Sequence, residues 1–383
     1  MRKIVPITAG AGAALALSVL AGPVAAGAAG AHGPNGGTGG DHAVFVQTDN
    51  TAGNQIVAYD RANNGSLALA NTYDTGGFGG KLNGSAVDHL ASQGSLTYDP
   101  DNSLLYAVNA GSNTVSVFSV SGDQLALRQV VDSGGDFPVS VSAHGDFVYV
   151  LNAENGGSVT GFRVAGGFLH PIEGSTRALG LPIVTDINQF THTPGDIAFS
   201  PDGSQVIVTT KAAGNSIDVF GVTPSGRLTA SPVVNTEPGD VPFAVAFDAA
   251  GHLVITDAGN NAVDTFTLSP TGTATPLDSA FTGQAATCWV AVAQGYLYAS
   301  NAGSASLSGY QSAPNGNLTS LGVTGTDPGT VDASASAGGQ YLYVQTGGNG
   351  IVDGFQVNAD GSLTALGSVL VAGAGGGEGI VAF

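Results

Sequence analysis

The amino-acid sequence predicts an all-β protein: a seven-bladed β-propeller with four antiparallel strands in each blade, formed by residues 41–383. Three observations predict this fold. A strand pattern recurs seven times, each recurrence carries one aromatic residue at an equivalent place, and the two chain ends complement one another. The composition agrees with a turn-rich β protein, because 60 of the 383 residues are glycine and only 10% are charged.

The recurring unit is clearest between Ala244 and Leu277, where turn signals separate four short stretches, strands a to d in chain order. Strand b, seen there as HLVITDAG, recurs with its first residue at positions 43, 104, 147, 205, 252, 296 and 341. Spacings of about 43 to 60 residues are typical of propeller blades. Hairpin dipeptides such as Asp202-Gly203 and Asn315-Gly316 lie between the strands.

Strand c carries one aromatic residue in every unit. These residues are Tyr59, Phe118, Phe162, Phe220, Phe266, Tyr310 and Phe355. Such residues could stack on a ligand, but a single aromatic at a fixed place in each blade favours a wedge that packs neighbouring sheets together.

The chain ends predict how the ring closes. The first strand b, at Ala43, has no strand a before it, and the chain finishes with the strand-a pattern of Gly379 to Phe383. We expect this C-terminal strand to become the innermost strand of the first blade, because closure removes exposed sheet edges.

The N-terminus has the pattern of a secretory signal peptide. Arg2 and Lys3 precede an apolar stretch, and small residues allow cleavage after Ala26 or Ala31. Residues 1–31 are therefore predicted to be the signal, and residues 32–40 a glycine-rich linker. The mature protein is expected to be secreted, either extracellular or periplasmic, and not to span a membrane.

The charge balance restricts the partners. Nine basic residues stand against 28 acidic ones, a formal net charge of −19. This excludes nucleic acid, which needs clustered lysine and arginine. We expect a monomer whose partner is a small-molecule ligand or a cell-envelope component.

The face of the disc that carries the b–c loops and the crossovers between blades is the predicted functional face. Both long insertions, 74–94 and 170–195, lie on it, and long loops in compact domains are usually functional. His192 is the candidate general base, with Asp196 or Asp240 orienting it or holding a cation. The candidate ligand-binding residues are Lys211, Glu154, Asp257, Trp289 and His89. The single cysteine, Cys288, is interpreted as a core residue rather than a nucleophile.

Acidic residues that precede the a strands predict a ring of carboxylates at the channel mouth. The ring comprises Asp136, Asp196, Asp240, Asp327 and Glu378. No cofactor is required, but carboxylate oxygens suit Ca²⁺, so Asp136, Asp240, Asp327 and Glu378 are candidate metal ligands. The alternative is that each carboxylate caps its own turn.

Two blades resemble a known family. PGDIAFSPDGSQVIVTT (194–210) and FPVSVSAHGDFVYVLNAENGGSVTGFRV (137–164) are similar to the bacterial lactonase family of seven-bladed propellers, with its 6-phosphogluconolactonases and carboxymuconate-cyclising enzymes, and to YVTN-type surface propellers. The resemblance covers the whole mature chain and implies the fold and a hydrolytic activity on lactones.

The same comparison shows where the chain departs from the family pattern. Val139 and Ser140 follow Pro138, where family members carry a histidine. A later blade opens with 241–244, VPFA, in place of the family's Pro-Arg-His, and its b–c loop has Asp257-Ala258 in place of Asn-Glu. Two functions therefore stay open. One is a secreted lactonase-like hydrolase of a lactone or related ester, and the other is a non-catalytic propeller that binds a small ligand, a divalent cation or an envelope polymer.

Overall fold

A computed structural model describes residues 42–383, which form seven separate β-sheets. The predicted signal peptide (1–31) and the predicted linker (32–40) lie outside the described residues. Each sheet is one blade with antiparallel strands, which confirms the predicted seven-bladed propeller. None of the helices in residues 42–383 has the length and apolar character needed to cross a membrane.

The strands are numbered in chain order. Blade 1 contains β1 (Ala43–Gln47), β2 (Gln55–Arg61) and β3 (Leu67–Asp74), and blade 2 contains β4 (Leu96–Asp99), β5 (Leu104–Asn109), β6 (Thr114–Ser121) and β7 (Gln124–Asp132). Blade 3 contains β8 (Pro138–His144), β9 (Phe147–Asn152), β10 (Ser158–Ala165), β11 (Phe168–Pro171) and β12 (Arg177–Ala178). Blade 4 contains β13 (Ile197–Phe199), β14 (Gln205–Thr209), β15 (Ser216–Gly221) and β16 (Val233–Thr236).

Blade 5 contains β17 (Pro242–Phe247), β18 (Leu253–Asp257), β19 (Ala262–Leu268) and β20 (Ala274–Phe281). Blade 6 contains β21 (Thr287–Ala293), β22 (Tyr296–Asn301), β23 (Ser306–Ser312) and β24 (Leu318–Gly325), and blade 7 contains β25 (Thr330–Ala335), β26 (Tyr341–Thr346), β27 (Ile351–Val357) and β28 (Leu363–Leu370). One short α-helix, α1 (Lys211–Gly214), and 3-10 turns at Ala110–Ser112, Gln189–Thr191 and Ala337–Gly339 complete the elements.

The C-terminal strand closes the ring as predicted. β29 (Ile380–Ala382) pairs antiparallel with β1 and becomes the innermost strand of blade 1. Two further backbone hydrogen bonds join Ala43 and Phe383, and the Phe383 ring stacks on Tyr98 of blade 2 with centroids 4.6 Å apart. Both chain ends are therefore held in one sheet.

The strand-c aromatic residues pack in the core. All seven predicted residues are buried, with at most 3% of their surface exposed. Valine and isoleucine are frequent among the other core residues on strands a and b, in accord with the preference of β-branched residues for strands. The wedge interpretation of these aromatic residues is confirmed.

Blade 3 departs from the regular pattern. Its outermost position is shared by two short strands, β11 and β12, which both pair with β10. The chain then continues into the second insertion, residues 179–196, which connects β12 to β13. The first insertion, residues 75–95, connects β3 to β4.

Candidate functional site

A cavity of about 170 Å³ lies where the two insertions meet blades 5 and 6. This central cavity is lined by residues 84–88 and Ala91 of the first insertion, Phe190 of the second, and Phe243, Ala286, Cys288, Trp289 and Ala302. Ala86 and Ala286 are exposed at its rim, so it opens to solvent. The lining is mostly apolar and aromatic, with few polar groups, as is common in small-molecule sites.

Asp88 is the one acidic residue among those described as lining the central cavity. Its side chain is 5% exposed, and its Oδ1 and Oδ2 accept hydrogen bonds from the backbone N–H groups of Leu90 (2.8 Å) and Ser92 (2.9 Å). Burial raises the pKa of Asp88 to about 6, while these N–H groups and the charge of Lys211 favour the carboxylate. At neutral pH Asp88 is therefore mainly ionised and able to accept a proton.

Lys211 joins the two insertions through hydrogen bonds that include the cavity-lining residues Ala91 and Phe190. Its Nζ donates to the carbonyl oxygens of Ala91 and Phe190, each at 2.6 Å, and to Thr193 Oγ1 at 2.9 Å. The side chain is 1% exposed, and burial lowers its pKa to about 7 against the attraction of Asp88. A lysine ammonium has three hydrogens, and all three are used here.

This burial limits the predicted ligand-binding role of Lys211. Lys211 is the first residue of the short helix α1, and its φ of 46° lies in the left-handed region. Because its hydrogens bind protein acceptors, Lys211 contributes its charge to the site, and a ligand would have to displace one of the three hydrogen bonds to bind it.

Four more carboxylates are buried around the propeller axis. This acid cluster consists of Asp49, Asp196, Asp332 and Glu378, each at most 5% exposed. Burial raises the pKa of Asp49, Asp196 and Asp332 to about 7, and burial and neighbouring acids raise the pKa of Glu378 well above its usual value. The backbone N–H of Glu378 donates to Asp49 Oδ2 at 2.8 Å, so the Asp49 carboxyl group is bound to the main chain of Glu378.

His192 lies in a smaller neighbouring cavity of about 70 Å³, together with Glu154. Its Nδ1 is 2.9 Å from Thr191 Oγ1 and 3.0 Å from the carbonyl oxygen of Asn188, and Glu154 Oε1 accepts from Gln189 Nε2 at 3.0 Å. The structure thus brings together His192 and Glu154, two of the residues predicted from the sequence.

The predicted catalytic set is not assembled in one place. Asp196 accepts hydrogen bonds from Ser140 Oγ (3.1 Å) and Val245 N–H (2.9 Å) in the acid cluster, whereas Asp240 accepts from Asn260 Nδ2 (2.9 Å) on blade 5. The hydrogen bonds of His192 go to neither of them. The reason is that Asp196 directly precedes strand a, close to the axis, while His192 and Asp240 belong to loops of different blades.

The predicted metal ligands are also separated. Asp136 accepts from the side-chain amides of Asn113 and Asn155, Asp327 N–H donates to Asp353, and Glu378 belongs to the acid cluster. Among the described residues, the one group of three potential ligands whose atoms lie within 4.8 Å of one another is Asp240, Asp257 and Asp264. Of the four predicted metal ligands, Asp240 alone belongs to this group, and the other three form hydrogen bonds with different partners.

Trp289 and His89 have structural contacts. The Trp289 ring lines the central cavity, and its Nε1 donates to the carbonyl oxygen of Ser92. The His89 ring packs against Gly376 and occupies the space that a Cβ atom at position 376 would need. The backbone N–H of His89 donates to the carbonyl oxygen of Gly376 at 2.8 Å. The sequence pattern assigned no role to Asp88 or Asp264, because a single acid within a loop or a strand has no motif.

Comparisons with known proteins agree with the architecture. The family model described as "Lactonase, 7-bladed beta-propeller" matches residues 35–184 and 254–379. Among curated proteins, none matches this chain.

Solved structures with the same fold include a candidate 6-phosphogluconolactonase from Bacteroides fragilis, with 19% identity, a TM-score of 0.70, and coverage of 91% of this chain and 100% of that one. A periplasmic gluconolactonase from Pseudomonas aeruginosa is 19% identical, with a TM-score of 0.69 and coverage of 89% and 98%. A virginiamycin B lyase from Staphylococcus aureus is 14% identical, with a TM-score of 0.52 and coverage of 70% and 82%. At these identities the likeness shows the fold alone, since one propeller fold carries different reactions.

Proposed function

Since the chain belongs to the lactonase family of seven-bladed β-propellers, we propose that it hydrolyses a compact, uncharged lactone or related ester in the central cavity, with Asp88 as the general base. One observation carries this proposal. Asp88 is a buried carboxylate, held by two backbone N–H groups, at the wall of an apolar cavity that opens on the loop-rich face.

The chemistry follows from the properties of these groups. A general base works best when its pKa is near the working pH, and the pKa of Asp88 is raised to about 6. Asp88 takes a proton from water as the water oxygen attacks the carbonyl carbon. The ring C–O bond then breaks, and the proton returns from Asp88 to the leaving oxygen, so that the product is a hydroxy acid. The charge of Lys211 favours both ionised Asp88 and the negative charge that develops on the substrate.

The surroundings of the cavity select against anionic substrates. The chain carries a net charge of −19, and Asp88 places a carboxylate at the wall of the cavity itself. None of the described residues that line it is an arginine, and the Lys211 hydrogens already bind protein acceptors. A phosphate group would therefore have no ready partner. An apolar cavity of roughly 150 Å³ accommodates benzene, so a single-ring lactone fits the volume seen here.

A panel of uncharged, anionic and cationic lactones, incubated with the protein with and without a chelator, tests the activity. We expect hydrolysis of uncharged single-ring lactones, loss of activity in Asp88→Asn, and retention in His192→Ala. Activity that disappears in His192→Ala and survives in Asp88→Asn would move the reaction to the smaller cavity. No hydrolysis of any lactone would contradict the proposed function.

A second candidate function is cation binding on blade 5. Asp240, Asp257 and Asp264 line a cleft of about 590 Å³, and Asp264 Oδ1 is a buried oxygen without a hydrogen-bond partner. Burial and the charges of Asp257, Asp240 and Glu237 raise the pKa of Asp264 to about 7. A divalent cation would relieve this repulsion, and carboxylate oxygens are the ligands that Ca²⁺ prefers.

Thermal unfolding with millimolar Ca²⁺ tests this candidate. Binding to the folded state alone raises the melting temperature, and Asp264→Asn should remove the increase, whereas Asp136→Asn, far from the cleft, should keep it. If Ca²⁺ acts no more strongly than matched ionic strength, these carboxylates form a solvated acidic rim.

Export is part of the proposed function. The signal-like pattern of residues 1–31 supports a secreted or periplasmic protein. Mass determination of the protein recovered from outside the cytoplasm would show cleavage after Ala26 or Ala31, and an uncleaved chain inside the cell would contradict export.

A further inference from the structure

Glu378 is fully buried two residues before the closing strand β29. Its Oε1 accepts from the backbone N–H of Ser95 at 3.1 Å, and its Oε2 lies 2.8 Å from Ser92 Oγ. The same Ser92 Oγ lies 3.0 Å from the carbonyl oxygen of Val139. Glu378 thus contacts the first insertion directly, and blade 3 through Ser92.

The hydrogen atoms at Ser92 can be counted. A serine hydroxyl carries one hydrogen, and a backbone carbonyl can only accept. If the Ser92 hydroxyl donates to Val139, the contact with Glu378 Oε2 needs a hydrogen from Glu378. An ionised Glu378 would instead compete with Val139 for the single hydrogen, and one buried acceptor would lose its partner.

The charges that face Glu378 also favour its protonated form. Asp88, Asp332 and Asp49 all act on it, and the cation that attracts it among residues 42–383 is Lys211, whose hydrogens bind other acceptors. Burial and these three acids raise the pKa of Glu378 well above its usual value. Like charges gathered at one buried site do not all ionise together.

We infer that Glu378 is a neutral, protonated carboxylic acid that donates to Ser92 Oγ, and that this hydrogen-bond relay to Val139 positions the loop holding Asp88. Ser92 connects the parts, because its backbone N–H donates to Asp88 and its carbonyl oxygen accepts from Trp289. Glu378 is accordingly a positioning residue that acts through Ser92. The effect of Glu378 on catalysis rests on the proposed function, whereas the protonation of Glu378 does not.

Two substitutions separate the neutral acid from the ionised one. Glu378→Gln keeps an acceptor for Ser95 and a neutral donor for Ser92, while Glu378→Leu has a similar size and neither group. We expect urea unfolding midpoints close to wild type for Glu378→Gln at pH 5 and higher than wild type at pH 8, and clearly lower midpoints for Glu378→Leu at both. Equal destabilisation of both variants would overturn the inference, because it would show that the native site needs a charge.

Infrared spectroscopy of the folded protein provides a readout that a merely structural role would not change. The difference spectrum of wild type minus Glu378→Gln at pH 7 should contain the carbonyl band of a protonated carboxyl group. A carboxylate band in its place would overturn the inference.

The catalytic consequence is measured separately on a hydrolysed lactone. Misplacement of a catalytic group by about 1 Å costs up to roughly a hundredfold in rate. Glu378→Leu should therefore lower kcat by ten- to about a hundredfold, and Glu378→Gln should restore most of it. Equal kcat losses in both variants would refute the positioning role. If the wild type hydrolyses no lactone, the proposed function fails, while unfolding and the infrared spectrum still decide the protonation of Glu378.

Discussion

Ser92 Oγ and Glu378 Oε2 lie 2.8 Å apart although 286 positions of the chain separate them. Ser92 belongs to the insertion that holds Asp88, and Glu378 leads into the strand that closes the ring. Ring closure and the geometry of the candidate site are therefore directly connected. A change at the C-terminus should alter both.

Deletion of residues 378–383 should unfold the entire protein. The deletion removes β29, whose residues Ile380, Val381 and Ala382 pair with β1, and it opens the ring. Fluorescence of the single tryptophan, Trp289, on blade 6 reports whether a distant blade loses structure as well. A Trp289 transition that stays at the wild-type temperature would show that only blade 1 frays, contrary to this expectation.

Stability should be highest on the acidic side and should fall as the pH rises toward 7. Carboxyl groups in unfolded chains have a pKa of about 3.9, while burial raises the pKa of Asp49, Asp196 and Asp332 to about 7 and that of Asp88 to about 6. Between about pH 4 and 7 the folded state holds protons that the unfolded state releases, so the free energy of unfolding decreases with pH. All four acids contribute to this decrease.

Lys211 contributes to the pH dependence of stability with the opposite sign to the acids. Burial lowers its pKa to about 7, so between pH 7 and about 10 the unfolded chain binds the extra proton and the free energy of unfolding rises. One lysine offsets only part of the effect of the four acids. Urea unfolding from pH 4.5 to 9 measures the balance. A free energy of unfolding that rises steadily from pH 5 to 7 would show that these acids are ionised in the folded state.

Gly84→Ala should separate the two insertions. Gly84 has φ of 86°, and a Cβ atom there would lie 1.8 Å from the carbonyl oxygen of Ile187, across the contact between the insertions. Gly174→Ala is the matched control, since Gly174 also has a positive φ, of 66°, but its Cβ would meet nothing within 4 Å.

Both substitutions carry the backbone cost of about 1 kcal/mol, and Gly84→Ala should lose roughly 1–3 kcal/mol more because the insertions must move. It should also raise the KM of a hydrolysed lactone, whereas Gly174→Ala should not. Equal unfolding midpoints for the two variants would show that the contact at Gly84 does not hold the insertions together.

The fold could be predicted from the sequence because each blade is specified by short-range sequence signals, and these signals recur seven times. A strand of alternating residues, a turn dipeptide and an aromatic wedge such as Phe220 recur in every blade, and each copy supports the others. The closing strand was predictable because the first blade lacks a strand a before Ala43, and the chain ends at Phe383 with an unpaired strand-a pattern. The split outer strand of blade 3 was not, since β11 and β12 have no distinctive pattern.

The site could be predicted only in part. The functional face followed from the lengths of the insertions, and Trp289, Lys211 and Glu154 do lie at or beside the two cavities. Which side chains meet depends on how residues 75–95 and 179–196 fold against each other. That contact rests on single hydrogen bonds, such as Asn83 N–H to Gln189 Oε1 at 2.9 Å, which no periodicity reveals.

Cys288 should report on occupancy of the central cavity. It is the single cysteine of the chain, it lines the cavity, and burial raises the pKa of its thiol to about 12. Reaction with a small methanethiosulfonate should therefore be slow at pH 7 and slower still with a saturating lactone, while urea-unfolded protein reacts quickly. If a lactone that the protein hydrolyses leaves the rate unchanged, hydrolysis takes place outside this cavity.

The pH dependence of kcat/KM for a hydrolysed lactone tests the role of Asp88 most directly. Because the pKa of Asp88 is raised to about 6 and that of Lys211 is lowered to about 7, the wild-type profile should rise with pH through about 6 and fall as Lys211 loses its charge. Loss of a general base costs about 10²–10⁴-fold, so Asp88→Asn should lose activity by that factor and lose the rising limb. A profile in Asp88→Asn with the wild-type shape and height would contradict the account.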